Sequence, residues 1–463
     1  MARRIVHVDG IVPITRDYPI AVVSNGLVFI GGLRGGRTDG VARFADLPAD
    51  FRRNGFSGLA LSDQLEGEFA ADAWTTHENL DRVLRAAGSD PLQVLRLHIW
   101  LRDKRLFPVY ERIRMAWQKV PAPSSCLGVR DVIGRFGRSS GIEAFAVVPG
   151  ENPLFPERVT VAAFDNQRFP AAAFYSQAVR CGPLVTLAGH IPIATNKAGK
   201  PLIGGYDDVT EEGRFLATGR SHTDSRQGPI AAQSFFVYQA IRDTLAAQGL
   251  QMQSIKHVAV MLQDIRDFGT FHRVHQRFFP EEGPALIVAG FNEVGHKGTL
   301  IEIEPLAVVD SAEFPTAPVA WPIPAPIAGP AAMTIGPLCF LAGMLGLDAN
   351  GRLVRTPDDL DDAIGRRVAS DLARFETSPG FAAQCWAAWM LISKVCAQAG
   401  LRLAQLVKLT VYLRNRSDLW IFEEIRAAFT PTGELPAAEF IAVQAPGPVP
   451  DAHVQIEAVA STD

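Results

Sequence analysis

The chain has 463 residues, 48% apolar and 20% charged, with 45 Lys and Arg against 49 Asp and Glu. That length allows two to four domains or repeats, each large enough to bury a core, while a net charge of −4 leaves no basic excess to neutralise a phosphate backbone or an anionic membrane. The opening Met1-Ala2-Arg3-Arg4 runs into polar sequence rather than an apolar signal segment, and no stretch has the length of charge-free apolar sequence that spans a bilayer. The expectation is therefore a soluble cytoplasmic protein with no nucleic-acid or membrane partner.

Taken in chain order, Ser24 to Leu33 reads as a glycine turn followed by an apolar strand ending at Gly31-Gly32. A loop through Asp50, Gly58 and Asp63 leads to a helix over Trp74 to Ala87, closed by Gly88, the residue type that tolerates the positive φ just past a helix end. A strand over Val94 to Leu101 follows, then a helix whose Tyr110, Ile113 and Trp117 share one face at spacings of three and four. The strand Ile142-Glu143-Ala144-Phe145-Ala146 closes the unit.

The same series returns twice. Gly189 and Gly343 repeat Gly32 at an interval of about 155 residues. Helices over Phe235 to Gln248 and Trp386 to Ala399 stop at Gly249 and Gly400, and strands Ile255 to Leu262 and Val407 to Leu413 follow them. The buried stripes recur as Phe271/Val274/Phe278 and Phe422/Ile425/Phe429, and the closing strands begin at Ile303 and Ile456. Asp224 and Asp371 stand where Asp63 does, each expected to cap the segment after it. Proline-rich stretches separate the copies, placing three repeats at 1–150, 151–315 and 316–463. The fold class is α+β, three β-β-α-β-α-β repeats with helices on one sheet face. Alternation sends Arg96, His98 and Trp100 away from the helices, and Arg96 corresponds to His257 and Lys408. Glu143, Glu304 and Glu457 point the same way, so an interior set of ion pairs is expected.

Tyr175 to Ile193, Lys256 to Asp264 and Ile301 to Ala307 together resemble the reactive intermediate deaminase family, also called RidA/YjgF. The resemblance covers nearly all of the second copy and, more weakly, the other two. It implies a pseudo-trimer in one chain, with the sheets as a central barrel, helices outside and a ligand cleft at each junction. It also implies a monomer, or a small homo-oligomer of whole pseudo-trimers.

Deaminating members of that family hold a substrate carboxylate with the arginine of a Pro-Ala-Arg-Ser segment. Here the segments are Pro121-Ala122-Pro123-Ser124, Pro284-Ala285-Leu286-Ile287 and Pro436-Ala437-Ala438-Glu439, with no arginine in any copy. The family's water-positioning glutamate corresponds to Glu302, replaced by Gly141 and Gln455 elsewhere, and its pocket tyrosine to Tyr175. The resemblance thus implies one specialised cleft, with Glu302, Tyr175 and His272 as acid–base groups and Gly189, His190 and Leu286, at the arginine position, contacting the substrate. No metal is expected, because His272 and His275 at i, i+3 lack a Cys partner or a His-Glu-x-x-His pattern. No cofactor is expected either.

The function expected is hydrolysis of an imine, enamine or ring C–N bond in a small nitrogenous molecule. Two other readings stand beside it. One is a ring-opening amidohydrolase of the barbiturase or cyanuric acid hydrolase type, also built from three repeats but dependent on Ser/Lys pairs. The other is a small-molecule-binding protein without turnover.

Overall fold

The computed structural model describes all residues except 1–2, 16, 39, 135–138, 163–174, 195–201, 431–432, 434 and 463. Its architecture is mixed α+β. Three open sheets share one strand order. The first runs Arg4–Val6, Ala21–Ser24, Leu27–Leu33, Ser140–Val147, Val94–Leu101, Ser124–Gly128. The second runs Arg158–Ala162, Ala178–Cys181, Leu184–Leu187, Ile301–Val308, Ile255–Leu262, Ala285–Gly290. The third runs Thr316–Val319, Ala332–Ile335, Leu338–Leu341, Val454–Ser461, Leu406–Leu413, Ala437–Ala442. In each, the outer pair on one side is parallel and the remaining pairs are antiparallel.

None of these sheets closes into a barrel. They meet through isolated bridges, Gly128 with Glu293 and Gly290 with Ala445, and through the two-residue strand Asp131–Val132, which extends the third sheet beside Ile441 and Ala442. Where the three meet, Trp100, Met261 and Tyr412 pack with Phe291, Leu127 and Ile441 in a core drawn from all three sheets.

Helices cover the other face of each sheet. Ala60–Ala86 and Phe107–Trp117 lie over the first, Ser221–Ala246 and Phe268–Phe278 over the second. The third repeats this with a difference. Its long helix is split into Ala363–Ala373 and Phe381–Gln398 around Ser378-Pro379-Gly380, since proline disfavours helical backbone in the residue before it. The capping expectation fails: Asp63 and Asp224 lie inside the first turns of Ala60–Ala86 and Ser221–Ala246, and they tie down the loops that precede those helices instead. Asp63 accepts the Ser57 and Gly58 amides and Asp224 those of Thr218 and Gly219, at 2.8 to 2.9 Å. Over the third sheet, Asp371 lies inside a helix, and Asp362 caps it through the Ile364 and Gly365 amides.

Strict alternation fails at an equivalent point in all three sheets. The ladder shifts register between Val94 and Arg96, between Ile255 and His257, and between Leu406 and Lys408. An extra residue turns consecutive side chains to the same side. Leu95 therefore leaves the helix-side core of Leu97 and Ile99 and joins Phe29 and Phe145 in the interior.

Candidate active site

Pairing on the closing strands fixes which carboxylates face inward. Glu302 stands opposite Met261 and Glu304 opposite Ala259, as Gly141 and Glu143 stand opposite Trp100 and His98, and Gln455 and Glu457 opposite Tyr412 and Thr410. Ile301 and Ile303 take the alternate positions, in the helix-side core. Glu302 is thus placed by the pleat that buries its neighbours.

Groups from two distant stretches of the chain, around Lys104 and Ser125 and around Gly189 and Gly295, surround it. Gly189, at the end of the Leu184 strand, faces Glu302. A Cβ there would collide with Glu302 Oε1 and lie 2.5 Å from Ser125 Oγ, so only glycine leaves room for the carboxyl. Ser125 lies on the Ser124–Gly128 strand, and its hydroxyl donates to Glu304 Oε2 at 2.5 Å. Lys104 reaches across to Gly295, donating to its carbonyl at 2.6 Å, while the Gly295 amide donates to Glu302 Oε2 at 3.2 Å. Gly295 holds this double contact at φ +46°, a region open to glycine. Burial drives the Glu302 carboxyl up to about 7, against the charge of Lys104 and the Gly295 amide, with Glu304 adding to the rise. Ser125 is followed by Cys126, whose thiol burial pushes up to about 12, which removes it as a thiolate nucleophile.

A cavity of about 250 Å³ opens beside this corner, between the Gly189–Ala194 segment and the helix residues Phe236, Gln239 and Thr244, with Tyr175 and His190 in its wall. Burial, then the negative charge of Glu302, raises the Tyr175 hydroxyl, so it stays protonated and can donate. His190 Nδ1 donates to the Ala188 carbonyl at 2.8 Å, which leaves Nε2 as the bare nitrogen. That nitrogen lies 3.4 Å from Thr244 Oγ1, whose own proton goes to Ala240 at 2.9 Å. Burial lowers His190 to about 4, so it is a neutral acceptor. Glu302 does not line the cavity directly; Gly189 is the shared wall.

Glu302, Tyr175, Gly189 and His190 are brought together. His272 and Leu286 are not. His272 lies on the Phe268–Phe278 helix against Phe268 and His275, and Leu286 accepts the Gly343 amide at 3.1 Å at the junction with the third sheet. Tyr175 also has a counterpart that strand comparison overlooks. Tyr18 stands three residues before Ala21 as Tyr175 does before Ala178, and it packs under Arg426 beside Glu423, as Tyr175 sits near Arg114 and Glu111. Sequence reasoning missed Ser125 and Lys104. Ser125 adjoins the Pro121-Ala122-Pro123-Ser124 segment, which was signal enough to find it, whereas Lys104 is reached only through the packing of two sheets.

Behind the site lies the expected charge cluster. Arg96 pairs with Glu304 at 3.0 Å and Lys408 with Glu143. His257 is buried and neutral, lowered to about 3 by burial and the nearby Arg96, and packs on Phe340. The third cation is His98, whose two nitrogens donate to Glu143 at 2.6 Å and Glu304 at 2.8 Å. Burial opposes its charge, but Glu304 and the hydrogen bonds to both carboxylates hold the proton, raising it to about 10. These groups come from all three sheets and supply partners for each other's buried charge.

Residues 165–309 match the family model described as Endoribonuclease L-PSP. A RutC family protein of Pyrococcus horikoshii is 32% identical over 121 residues, spanning 25% of this chain and 94% of that protein, and one of Pyrococcus abyssi is 31% identical over the same length. Among solved structures, a Mycobacterium tuberculosis member of the YjgF/YER057c/UK114 family covers 33% of this chain and all of its own at 25% identity and TM-score 0.24. A chorismatase covers 80% of this chain at 15% identity and TM-score 0.45. Carrying nearly the full length of its archaeal relatives inside a much longer sequence, the chain belongs to the RutC family.

Proposed function

We propose that the corner formed by Glu302, Tyr175, Gly189 and His190 hydrolyses a C=N or related C–N bond of a small nitrogenous molecule. The observation that carries this is a buried carboxyl poised at about 7 beside a cavity. A group of that acidity is divided between acid and base near neutrality, the condition for taking a proton from water and returning it to nitrogen. For an imine, water oxygen bonds to the carbon, the C=N electron pair moves to nitrogen, and Glu302 carries the water proton across. Collapse of the carbinolamine then releases the amine and leaves the carbonyl. Tyr175 donates to the charge that develops, and His190 Nε2 accepts from a substrate N–H or O–H.

The three-repeat reading belongs with this proposal. Units at 1–150, 151–315 and 316–463 are arranged with pseudo-threefold symmetry about the charge cluster, and the repeated register shifts support it. The chain then needs no trimer and works as a monomer or small assembly of whole chains on a small-molecule substrate. Five unpaired cysteines support a cytosolic setting. Ser125 and Lys104 both flank Glu302, but their hydrogen bonds go to Glu304 and the Gly295 carbonyl, which gives the amidohydrolase reading no Ser/Lys pair.

Turnover of a panel of small imines and enamines by wild type and Glu302→Gln tests the assignment. A loss of about 100-fold or more is expected. Full activity in the variant would remove Glu302 from the mechanism, and tight binding without turnover in the wild type would favour the non-catalytic reading.

A further inference from the structure

Two buried atoms in the cavity wall face each other with no proton between them. His190 Nε2 and Thr244 Oγ1 lie 3.4 Å apart, and both side chains line the cavity. The Ala188 carbonyl can only accept, so His190 Nδ1 at 2.8 Å carries the ring proton, and burial keeps the ring from taking a second. The Thr244 hydroxyl has one proton, and the Ala240 carbonyl at 2.9 Å is a nearer taker than Nε2 at 3.4 Å. His190 is 6% and Thr244 5% exposed, so an unmatched acceptor on either is costly. The corresponding places in the other two sheets and their helices are apolar. Leu33 and Met344 follow Gly32 and Gly343 as His190 follows Gly189, and Val83 and Val395 stand five residues before Gly88 and Gly400 as Thr244 stands before Gly249. Leu33 and Val83 share one core, and Met344 and Val395 another. Where those places hold apolar pairs, this one turns two acceptors into the cavity.

We infer that His190 and Thr244 form a two-acceptor cradle that takes a single N–H or O–H proton of an uncharged substrate and rejects carboxylates. The inference rests on this cavity being the substrate site of the proposed hydrolase, and it narrows what that site accepts. Spacing sets the number of protons. With bonds of about 2.9 Å and about 110 to 120° between them, two protons on one nitrogen reach acceptors about 5 Å apart. Acceptors 3.4 Å apart suit one proton shared in a three-centre bond. Charge follows from the lone pairs, because both atoms repel an anion and neither is a counter-ion for a buried cation. Ile191, Ile193 and Phe236 give the cavity apolar walls, and the two charged residues of its lining, Arg242 and Asp243, are exposed and opposite in sign. The three Pro-Ala segments without arginine point the same way.

The test reads the ring nitrogen itself. In protein labelled with nitrogen-15 histidine, the His190 Nε2 resonance, assigned by its loss in His190→Gln, reports the proton it accepts. Two matched pairs of probes supply that proton or withhold it: 2-pyrrolidone with N-methyl-2-pyrrolidone, and cyclopentanol with methoxycyclopentane. A saturable shift is expected with at least one donor and none with its capped twin, and the donor that acts says whether the substrate proton is N–H or O–H. Acetate should leave the resonance in place. Thr244→Val, which installs the side chain of Val83 and Val395, should weaken donor binding about fivefold to tenfold, and Thr244→Ser should restore it. No saturable shift with either donor, equal shifts from the capped twins, a shift with acetate, or unweakened binding in Thr244→Val each overturns the inference. So does a resonance that Thr244→Val alone moves as far as a probe does, since the threonine proton would then already sit on Nε2. All of these outcomes leave Glu302 as the candidate acid, whereas full turnover by Glu302→Gln overturns the functional reading whatever His190 shows.

Discussion

The corner at Gly189 and the corner at Gly32 are built on the same strand ends and have opposite fates. At Gly189 a carboxyl from the closing strand folds over the glycine, and among the described residues no ion pair forms to it. At Gly32 the carboxyl comes from the opposite side. Glu439, one residue after the position of the family arginine, lies 2.6 Å from where a Gly32 Cβ would sit, and Arg34 clamps it through two bonds of 2.5 and 3.0 Å. Arg34 also occupies the space beside Gly141, the counterpart of Glu302. The junction at Gly343 is closed more quietly, by Gln455, whose amide donates to the Val288 and Pro446 carbonyls and does not titrate. One frame thus yields an ion-pair plug, an amide plug and one poised acid.

The largest expected effect lies at the plug. Glu439→Gln leaves the Arg34 guanidinium buried, with both residues less than 5% exposed, and without its counter-charge. Denaturant unfolding should show a loss of about 3 to 5 kcal/mol, while turnover per folded molecule stays unchanged. A change in activity without a change in stability would make the Gly32 corner a working site and break the comparison. Gly189→Ala acts at the other corner. Its Cβ displaces the Glu302 carboxyl, so turnover should fall by about 1,000-fold, beyond any stability loss seen in thermal unfolding. Tyr175→Phe removes one donor and should cost turnover about tenfold to a hundredfold with KM little changed. Equal loss on Tyr18→Phe would show that the two corners are not divided as described.

Much of this division was legible in the sequence. Sequence spacing matched Glu302 to Gly141 and Gln455, and alternation placed three carboxylates inward, because the face a strand residue takes follows from period-two patterning. What alternation does not contain is the register shift at Val94 to Arg96, which sent Leu95 inward. Nor does it contain the choice of cation. His257 and His98 look alike in a string, and only the distances to Glu143 and Glu304 make His98 the charged one. Lys104 and Ser125 come from a distant stretch of the chain, so no local pattern around Glu302 could name them.

The charge cluster also predicts how stability depends on pH. His98 is raised from the usual 6.5 to about 10, so its contribution is complete below about 6.5 and is lost as pH rises through 10. Glu304 is lowered to about 2 by His98 and Arg96 against the cost of burial, so its contribution is complete above about 4.5 and is lost as pH falls through 2. Glu302 has the opposite sign for an acid: raised to about 7, it costs stability progressively from about 4.5 to 7 as it ionises. Because the buried neutral His190 and His257 add stability as pH rises towards 6.5, the Glu302 contribution is read as a difference: the unfolding free energy of the wild type relative to Glu302→Gln should decline from pH 4.5 to 7.

The smallest expected effect sharpens the comparison from outside it. His272 has the chemistry of an acid–base group, but its helix carries it to a different neighbourhood, where its ring meets Phe268 and His275 rather than Tyr175 or Glu302. Burial lowers its pKa, so it is neutral at pH 7 and brings no charge to the cavity. Among the described residues its Nε2 is buried without a hydrogen-bond partner, so replacing the ring by an apolar side chain removes an unsatisfied polar atom rather than a bond. His272→Leu should accordingly leave turnover within about twofold and change stability by no more than about 1 kcal/mol, in the stabilising direction if packing is kept. A loss of turnover as large as that of Tyr175→Phe, with stability intact, would bring His272 back into the chemistry and place a second working group outside the Gly189 corner.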